Sequence, residues 1–71
     1  MDRIEIGKRL RELRGDRRPE EVAVAVGVSA SAIAMYELGE RIPRDTVKLA
    51  LARYYGVPVG EIFFPDDAHS E

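Results

Sequence analysis

Apolar residues recur at helical spacing near the start of the chain. Ile6, Leu10 and Leu13 stand at positions i, i+4 and i+7, which places all three on one face of a helix. The pattern predicts a first helix from about residue 4 to residue 14. Gly15 follows as the flexible residue expected just past a helix end.

The segment after this helix carries two patterns that disagree. Valine alternates with smaller residues over 22–28, which is typical of a strand. Pro19 followed by two glutamates is instead typical of the first turn of a helix, and Gly27 suits a helix end. Because no other segment has strand character, a strand here would have no partner. We therefore predict a second helix that begins at Pro19 and depends on packing, since valine is a weak helix former.

A third helix is predicted over about 30–38. Ser29 precedes it and suits the N-cap, because its hydroxyl can accept a hydrogen bond from an amide of the first turn. Ile33 and Tyr36 are three residues apart and are expected to face the core. Gly39 ends this helix.

Two more helices complete the pattern. Pro43 prevents the third helix from continuing, and Asp45 opens a fourth helix that closes at Gly56. The apolar positions of this fourth helix keep helical spacing, at Val47, Leu51 and Tyr54 or Tyr55. Residues 61–64 are predicted to form a last short helix. The chain is therefore expected to be all-α, a compact five-helix orthogonal bundle.

The second and third helices, over about 19–38, have the layout of a helix-turn-helix, whose second member enters the major groove of DNA. Ser29 is predicted to use its hydroxyl as a cap, so Ser31 is the remaining polar group. No Arg, Lys, Asn or Gln, the residue types that make bidentate contacts to bases, is present in this third helix. The candidate DNA-binding positions of this recognition helix are Ser29, Ala30, Ser31, Ala32, Ala34 and Met35.

The distribution of charge restricts where DNA phosphates can bind. The 71 residues carry a net charge of −2, yet residues 61–71 contribute −4 and residues 1–60 carry +2. Residues 19–40 contain four acids and no base. Cations that contact phosphates must therefore flank the helix-turn-helix.

Composition argues against several classes of protein. The absence of cysteine excludes disulfides and thiolate metal sites, and the single histidine, His69, has no neighbouring ligands. There is no glycine-rich phosphate loop and no evident pair of catalytic carboxylates. We therefore expect no enzymatic activity, no catalytic residue, no metal and no cofactor.

The same sequence predicts a soluble cytoplasmic protein. The uncharged stretch 22–36 is too short and too rich in small residues for a membrane span. Charges close to the N-terminus argue against a signal peptide. The expected organisation is one domain over 4–64, followed by an acidic C-terminal tail over 65–71.

Over residues 4–64 the chain resembles the phage-repressor/Cro-type helix-turn-helix regulators, also called the xenobiotic-response-element type. The motifs that carry the resemblance are Ile6-Gly-Lys-Arg-Leu-Arg-Glu-Leu-Arg14, Glu20-Glu-Val-Ala23, Gly27-Val-Ser29, Ile33, Tyr36-Glu37, Gly39, Pro43 and Tyr55-Gly-Val-Pro-Val-Gly-Glu-Ile-Phe-Phe64. Their order and spacing together are specific. The resemblance implies a bundle whose third helix lies in the major groove and meets base edges.

The resemblance also implies where the DNA backbone is contacted. In such proteins the loop after the recognition helix touches phosphates, which here points to Arg41, Arg44 and Lys48. The start of the preceding helix normally offers a hydroxyl and a glutamine, and this chain has neither. Arg18 is the candidate that replaces them electrostatically, and Arg17 beside it is a further candidate for a phosphate contact.

Two further expectations concern contacts between helices and between copies. The resemblance implies an ion pair between Arg14 and Glu37, which ties the first helix to the third and has a structural role. Tyr54 and Phe64 are aromatic residues that the core does not require. They are candidates for a two-fold contact between two copies of the chain.

Two functions from different classes are open at this point. In the first, the chain is a sequence-specific transcriptional regulator, a repressor, that binds double-stranded DNA as a homodimer on a pseudo-palindromic operator, with no small-molecule effector evident. In the second, the fold is a protein-interaction module such as an anti-repressor, an antitoxin component or a regulatory subunit. Its smooth, alanine-rich third helix would then pack against a partner. The resemblance favours the first function.

Overall fold

A computed structural model describes residues 2–64. The predicted tail over 65–71, with His69, lies outside the described residues. Within residues 2–64 every regular element is helical, which confirms the predicted all-α class. The helices are α1 Arg3–Arg14, α2 Pro19–Val26, α3 Ala30–Leu38, α4 Asp45–Tyr55 and α5 Val59–Phe63.

Side-chain caps fix the beginnings of two helices. One carboxylate oxygen of Asp2 accepts hydrogen bonds from the amides of Ile4 and Glu5, at 3.0 and 3.3 Å, at the start of α1. Ser29 Oγ accepts a hydrogen bond from the amide of Ala32 at 3.0 Å, so the predicted cap of α3 is present. The beginnings of α2 and α4 have no side-chain cap.

The valine-rich segment is a helix in spite of its alternating pattern. Val22 is completely buried, and Val26 packs against the core one turn later. Val24, which a strand would place on the same face as these two, is 84% exposed. The helical period therefore separates valines that alternation would have grouped together.

The core lies where α3 packs against α1 and α2, with α4 and α5 closing the other side. Its largest fully buried side chains include Ile6, Leu51, Ile62 and Phe63. Within residues 2–64 no single helix is long and apolar enough to cross a membrane, and only α2 and α3 taken together, bent by 106°, pass that test by length and composition.

The predicted start of the last helix is wrong by two residues. The sequence pattern predicted a helix over 61–64, whereas α5 begins at Val59 and ends at Phe63. Pro58 precedes the helix with an extended backbone. Its carbonyl accepts a hydrogen bond from the amide of Glu61 at 3.0 Å. The first turn was missed because it contains a β-branched residue and a glycine, both weak helix formers.

A glycine allows α1 and α3 to cross closely. A β carbon at Gly7 would come 2.9 Å from the carbonyl oxygen of Tyr36 and closer still to that of Glu37. No residue with a side chain fits this crossing without moving one of the helices. Gly7 therefore sets how near α3 lies to the rest of the bundle.

Candidate nucleic-acid interface

The outward face of α3 consists of small or uncharged side chains. Ser31 and Ala34 are exposed, and Ala30 and Met35 are partly exposed. Leu38, which is not among the predicted recognition positions, is 65% exposed in the last turn of the same helix. The structure therefore brings four of the six predicted recognition positions to one surface. Of the other two, Ser29 is exposed but uses its hydroxyl as the cap of α3.

Ala32 does not share this surface, which corrects the sequence-based placement. Its side chain is only 8% exposed and belongs to the core cluster with Ile33 and Tyr36. Successive side chains of a helix point about 100° apart around its axis. The side chain of Ser31 therefore faces the solvent, while the methyl group of Ala32 faces the core. The sequence does not indicate which alanines of α3 are exposed and which are buried, because alanine occurs on both faces of a helix.

An ion pair holds α3 in its orientation against α1. Arg14 donates from Nε and Nη2 to the two carboxylate oxygens of Glu37, at 2.7 and 3.0 Å. The two side chains are only 14% and 10% exposed. The hydrogen bond to Glu37 raises the pKa of the Arg14 guanidinium. The structure thus joins the two residues that the family resemblance paired, in the bidentate geometry of a strong charge-assisted contact.

The guanidinium of Arg14 also joins a neighbouring loop. Its Nη1 donates to the backbone carbonyl of Arg17 at 2.8 Å. One side chain therefore connects the end of α1, the loop before α2 and the last turn of α3. This arrangement fixes the position of α3 relative to the start of α2.

Two arginines in the loop after α3 are free to bind an anion. Arg41 and Arg44 are exposed and form no ion pair within residues 2–64. They line an open cleft of about 430 Å³ together with Thr46 and the turn between α2 and α3. Arg44 is also the N-cap residue of α4, and no side chain caps the first amides of this helix. Guanidinium groups beside free amides at a helix N-terminus suit a phosphate.

Lys48 is not available for phosphate, contrary to the sequence-based expectation. The residue is 8% exposed, and its Nζ lies 5.1 Å from the ring of Phe64 and 5.8 Å from the ring of Phe63. The carboxylate of Asp45 lies 3.6 Å from the same nitrogen. This face of α4 packs on α5, so the lysine cation lies over aromatic rings.

The two arginines before α2 differ in their surroundings. Arg17 donates from Nη1 to the carbonyl of Leu13 at 3.0 Å, and its guanidinium lies over the rings of Tyr54 and Tyr55 at 5.4 and 5.6 Å. Arg18 is exposed, and its Nε lies 3.8 Å from a carboxylate oxygen of Glu20. Arg17 thus has partners within the molecule, whereas Arg18 has only a weak surface ion pair.

The two aromatic residues proposed for a dimer contact also have partners within the chain. The hydroxyl of Tyr54 donates to a carboxylate oxygen of Glu21 at 3.4 Å, and its ring meets Tyr55 edge-on. Phe64 is half-buried against Lys48. The large apolar side chains that the structure leaves exposed are Ile4, Val24, Leu38 and Leu49.

Tyr55, whose ring meets that of Tyr54, has a raised pKa. Burial, followed by the negative charge of Glu37, raises the pKa of the Tyr55 phenol to about 12. Among residues 2–64 no group of three or more histidine, cysteine, aspartate or glutamate side chains is arranged to hold a metal ion. The described surface therefore offers an uncharged outward face of α3 and, in the cleft lined by the turn before α3, two free arginines.

Comparisons with known proteins cover most of the described residues. A family model described as a helix-turn-helix domain matches residues 5–62. The chain is also 38% identical over 56 residues to the cryptic phage CTXphi transcriptional repressor RstR of Vibrio cholerae, an alignment that covers 76% of this chain and 50% of the relative. The chain thus spans about half the length of that curated relative. No solved structure is significantly similar to the chain.

Proposed function

The chain belongs to the helix-turn-helix domain family, and on that premise we propose that it is a transcriptional repressor that binds double-stranded DNA as a homodimer. The match over residues 5–62 and the phage repressor relative also confirm the resemblance to phage-repressor-type regulators. In this proposal α3 is the recognition helix and enters the major groove.

One observation carries the proposal, which is that two free arginines share an open cleft with α3 and with the turn before it, while the outward face of α3 is uncharged. Small side chains at Ala30, Ser31 and Ala34 allow the helix to approach the floor of the groove closely. Arg41 and Arg44 then neutralise phosphates at the groove edge, assisted by the uncapped amides of α4. Affinity in this arrangement comes chiefly from phosphate contacts, so binding depends strongly on salt.

A homodimer is part of the proposal because one recognition helix contacts only a few base pairs. Two copies related by a two-fold axis place their α3 helices in successive major grooves, about 34 Å apart. The matching DNA site is pseudo-palindromic, since its symmetry follows that of the protein.

Selection of duplexes from a random library at about 100 mM salt tests the proposal, followed by measurement of affinity across a salt series. We expect a pseudo-palindromic motif. The double variant Arg41→Ala with Arg44→Ala should bind all sequences more weakly and reduce the salt slope by about two, because two phosphate contacts are lost. Arg53→Ala is the matched control, since Arg53 is an exposed arginine in the last turn of α4.

Three outcomes are informative here. If the double variant and Arg53→Ala keep the same salt slope as the unmodified chain, Arg41 and Arg44 do not contact phosphate. If the library yields no motif, the proposal of a sequence-specific repressor fails. A motif without two-fold symmetry would contradict the homodimer while retaining DNA binding.

A protein-interaction module is the second candidate, and a specific observation favours it. Residues 19–40 hold four acids and no base, and two of the acids, Glu20 and Glu21, lie exposed in the first turn of α2. Such carboxylates repel a phosphate placed at that helix N-terminus. Salt-independent binding to DNA, or none at all, would support this second function.

A further inference from the structure

We propose that Leu38 is a specificity-determining residue that packs its side chain against the 5-methyl group of a thymine in the major groove. The inference rests on the proposed function, because it needs α3 to lie in that groove. It assigns base discrimination to an apolar contact at the C-terminal end of α3.

The position of Leu38 on α3 is the first argument. Seven residues separate Ser31 from Leu38, which is within about 20° of two complete helical turns. The two side chains therefore lie on one line along the helix, with Ala34 close to that line. Leu38 is 65% exposed, so the bundle does not use its side chain. A helix that presents Ser31 and Ala34 to DNA also presents Leu38, about 10 Å further along its axis.

The chemistry of this face is the second argument. Ser31 supplies the one side-chain hydrogen-bonding group on the outward face of α3 that is not used by a cap. Bidentate contacts to guanine or adenine need Arg, Lys, Asn or Gln, none of which occurs in α3. Thymine is the base that displays an apolar group in the major groove. Leu38 is the largest of the well-exposed apolar side chains on this face, and a thymine methyl is its natural partner.

The surroundings of Leu38 extend the same surface. The side chain of Ile4 lies against Gly39, where a β carbon would come 2.7 Å from its Cδ1 atom, and Ile4 is itself exposed. Two residues beyond Gly39, Arg41 offers a free guanidinium for the neighbouring phosphate. The proposed thymine contact and the proposed phosphate contact thus lie only three residues apart in the chain.

Replacement of single thymines by deoxyuridine tests the inference, because this change removes only the 5-methyl group. The probes are the duplex obtained from the random library and a set in which each thymine is replaced in turn. For the unmodified chain we expect one thymine in each half-site whose replacement weakens binding about fourfold, since one methyl-sized group loses its apolar contact. For Leu38→Ala the same replacement should leave affinity unchanged.

Two further variants make the result specific to Leu38. Leu49→Ala is the matched control, because Leu49 is a leucine of α4 that is 52% exposed, and it should keep the full sensitivity to deoxyuridine. Leu38→Met retains a long apolar side chain and should keep most of that sensitivity. Thermal unfolding of all variants establishes that each is folded.

The possible failures are distinguishable. If the library yields no preferred sequence, both the proposed function and this inference fall. If a motif is found but Leu38→Ala and the unmodified chain respond identically to every replacement, only the inference is overturned. The same conclusion follows if no thymine methyl affects the affinity of the unmodified chain.

Discussion

The inner and outer faces of α3 differ in how much they contact the rest of the protein. On the inner face, Ile33 and Tyr36 are buried, and Glu37 is held by two hydrogen bonds from Arg14. On the outer face, Ser31 and Ala34 contact solvent. The orientation of α3 is thus determined chiefly by its buried residues and by the ion pair, whereas the exposed side chains of Ser31 and Ala34 lie outside the core.

This difference separates two kinds of substitution. Changes on the inner face alter packing or an ion pair, so they lower the free energy of unfolding. Changes on the outer face leave the core intact and act on binding alone. Substitutions of Gly7, Glu37 and Tyr55, which lie on or near the inner face of α3, test this side of the comparison. Ser31→Ala provides the outer reference for the urea experiments.

The largest effect is expected from Gly7→Ala. The added methyl group would collide with the backbone carbonyls of Tyr36 and Glu37, so α1 and α3 must separate. We expect the free energy of unfolding to fall by about 3 kcal/mol, the upper part of the range for overpacked sites. Urea unfolding measures the change. Ser31→Ala should stay within about 0.5 kcal/mol of the unmodified chain, and equal stability of the two variants would mean that the crossing tolerates a side chain.

A smaller effect is expected from Glu37→Gln. The change leaves the Arg14 guanidinium partly buried without its charged partner, and we expect a loss of about 2 kcal/mol in the same urea experiment. This figure is below that for fully buried pairs, because both side chains retain some exposure. The double variant Arg14→Met with Glu37→Leu removes both charges and should recover most of the loss. A double variant that is no more stable than Glu37→Gln would argue against a coupled pair.

The smallest effect depends on pH. Burial raises the pKa of Tyr55 to about 12 in the folded protein, above the value near 10 of an unfolded chain. The stabilisation that belongs to the neutral phenol is therefore complete below pH 10 and is lost as the pH rises towards 12. Between those values the unmodified chain should lose about 1 kcal/mol more than Tyr55→Phe, after allowance for partial exposure.

The phenylalanine variant is the control that isolates this contribution. All other ionisable side chains are the same in the two proteins, so their contribution to the pH dependence cancels in this comparison. Parallel stability curves for the two proteins would show that Tyr55 contributes nothing to the pH dependence.

The helix bounds could be predicted well from the sequence, because glycine, proline and capping residues mark the helix ends. Gly15, Pro19, Ser29 and Gly39 each mark a helix end for a backbone or capping reason, and the observed bounds of α1 to α3 follow them closely. The start of α4 at Asp45 was predicted on the same grounds. These signals are local, so one sequence is enough to recognise them.

The errors arose where a tertiary contact decides the outcome. Lysine is normally exposed, and only the packing of α5 on α4 places Lys48 over aromatic rings. Ala32 carries no mark of its burial, because alanine occurs on both faces of a helix. Arg17 was predicted to contact phosphate, and the sequence did not indicate that its guanidinium lies over the tyrosines at the end of α4.

The exposed side chains on the outer face of α3 can be replaced without loss of core contacts. Ser31 and Ala34 can be randomised together without disturbing the fold, since neither side chain is buried in the core. Variants from such a library would differ in the sequences they prefer but share one scaffold and nearly one stability. The chain is thus a ready starting point for engineered regulators, in which new targets are obtained by exchanging a few surface residues while Gly7, Arg14 and Glu37 stay unchanged.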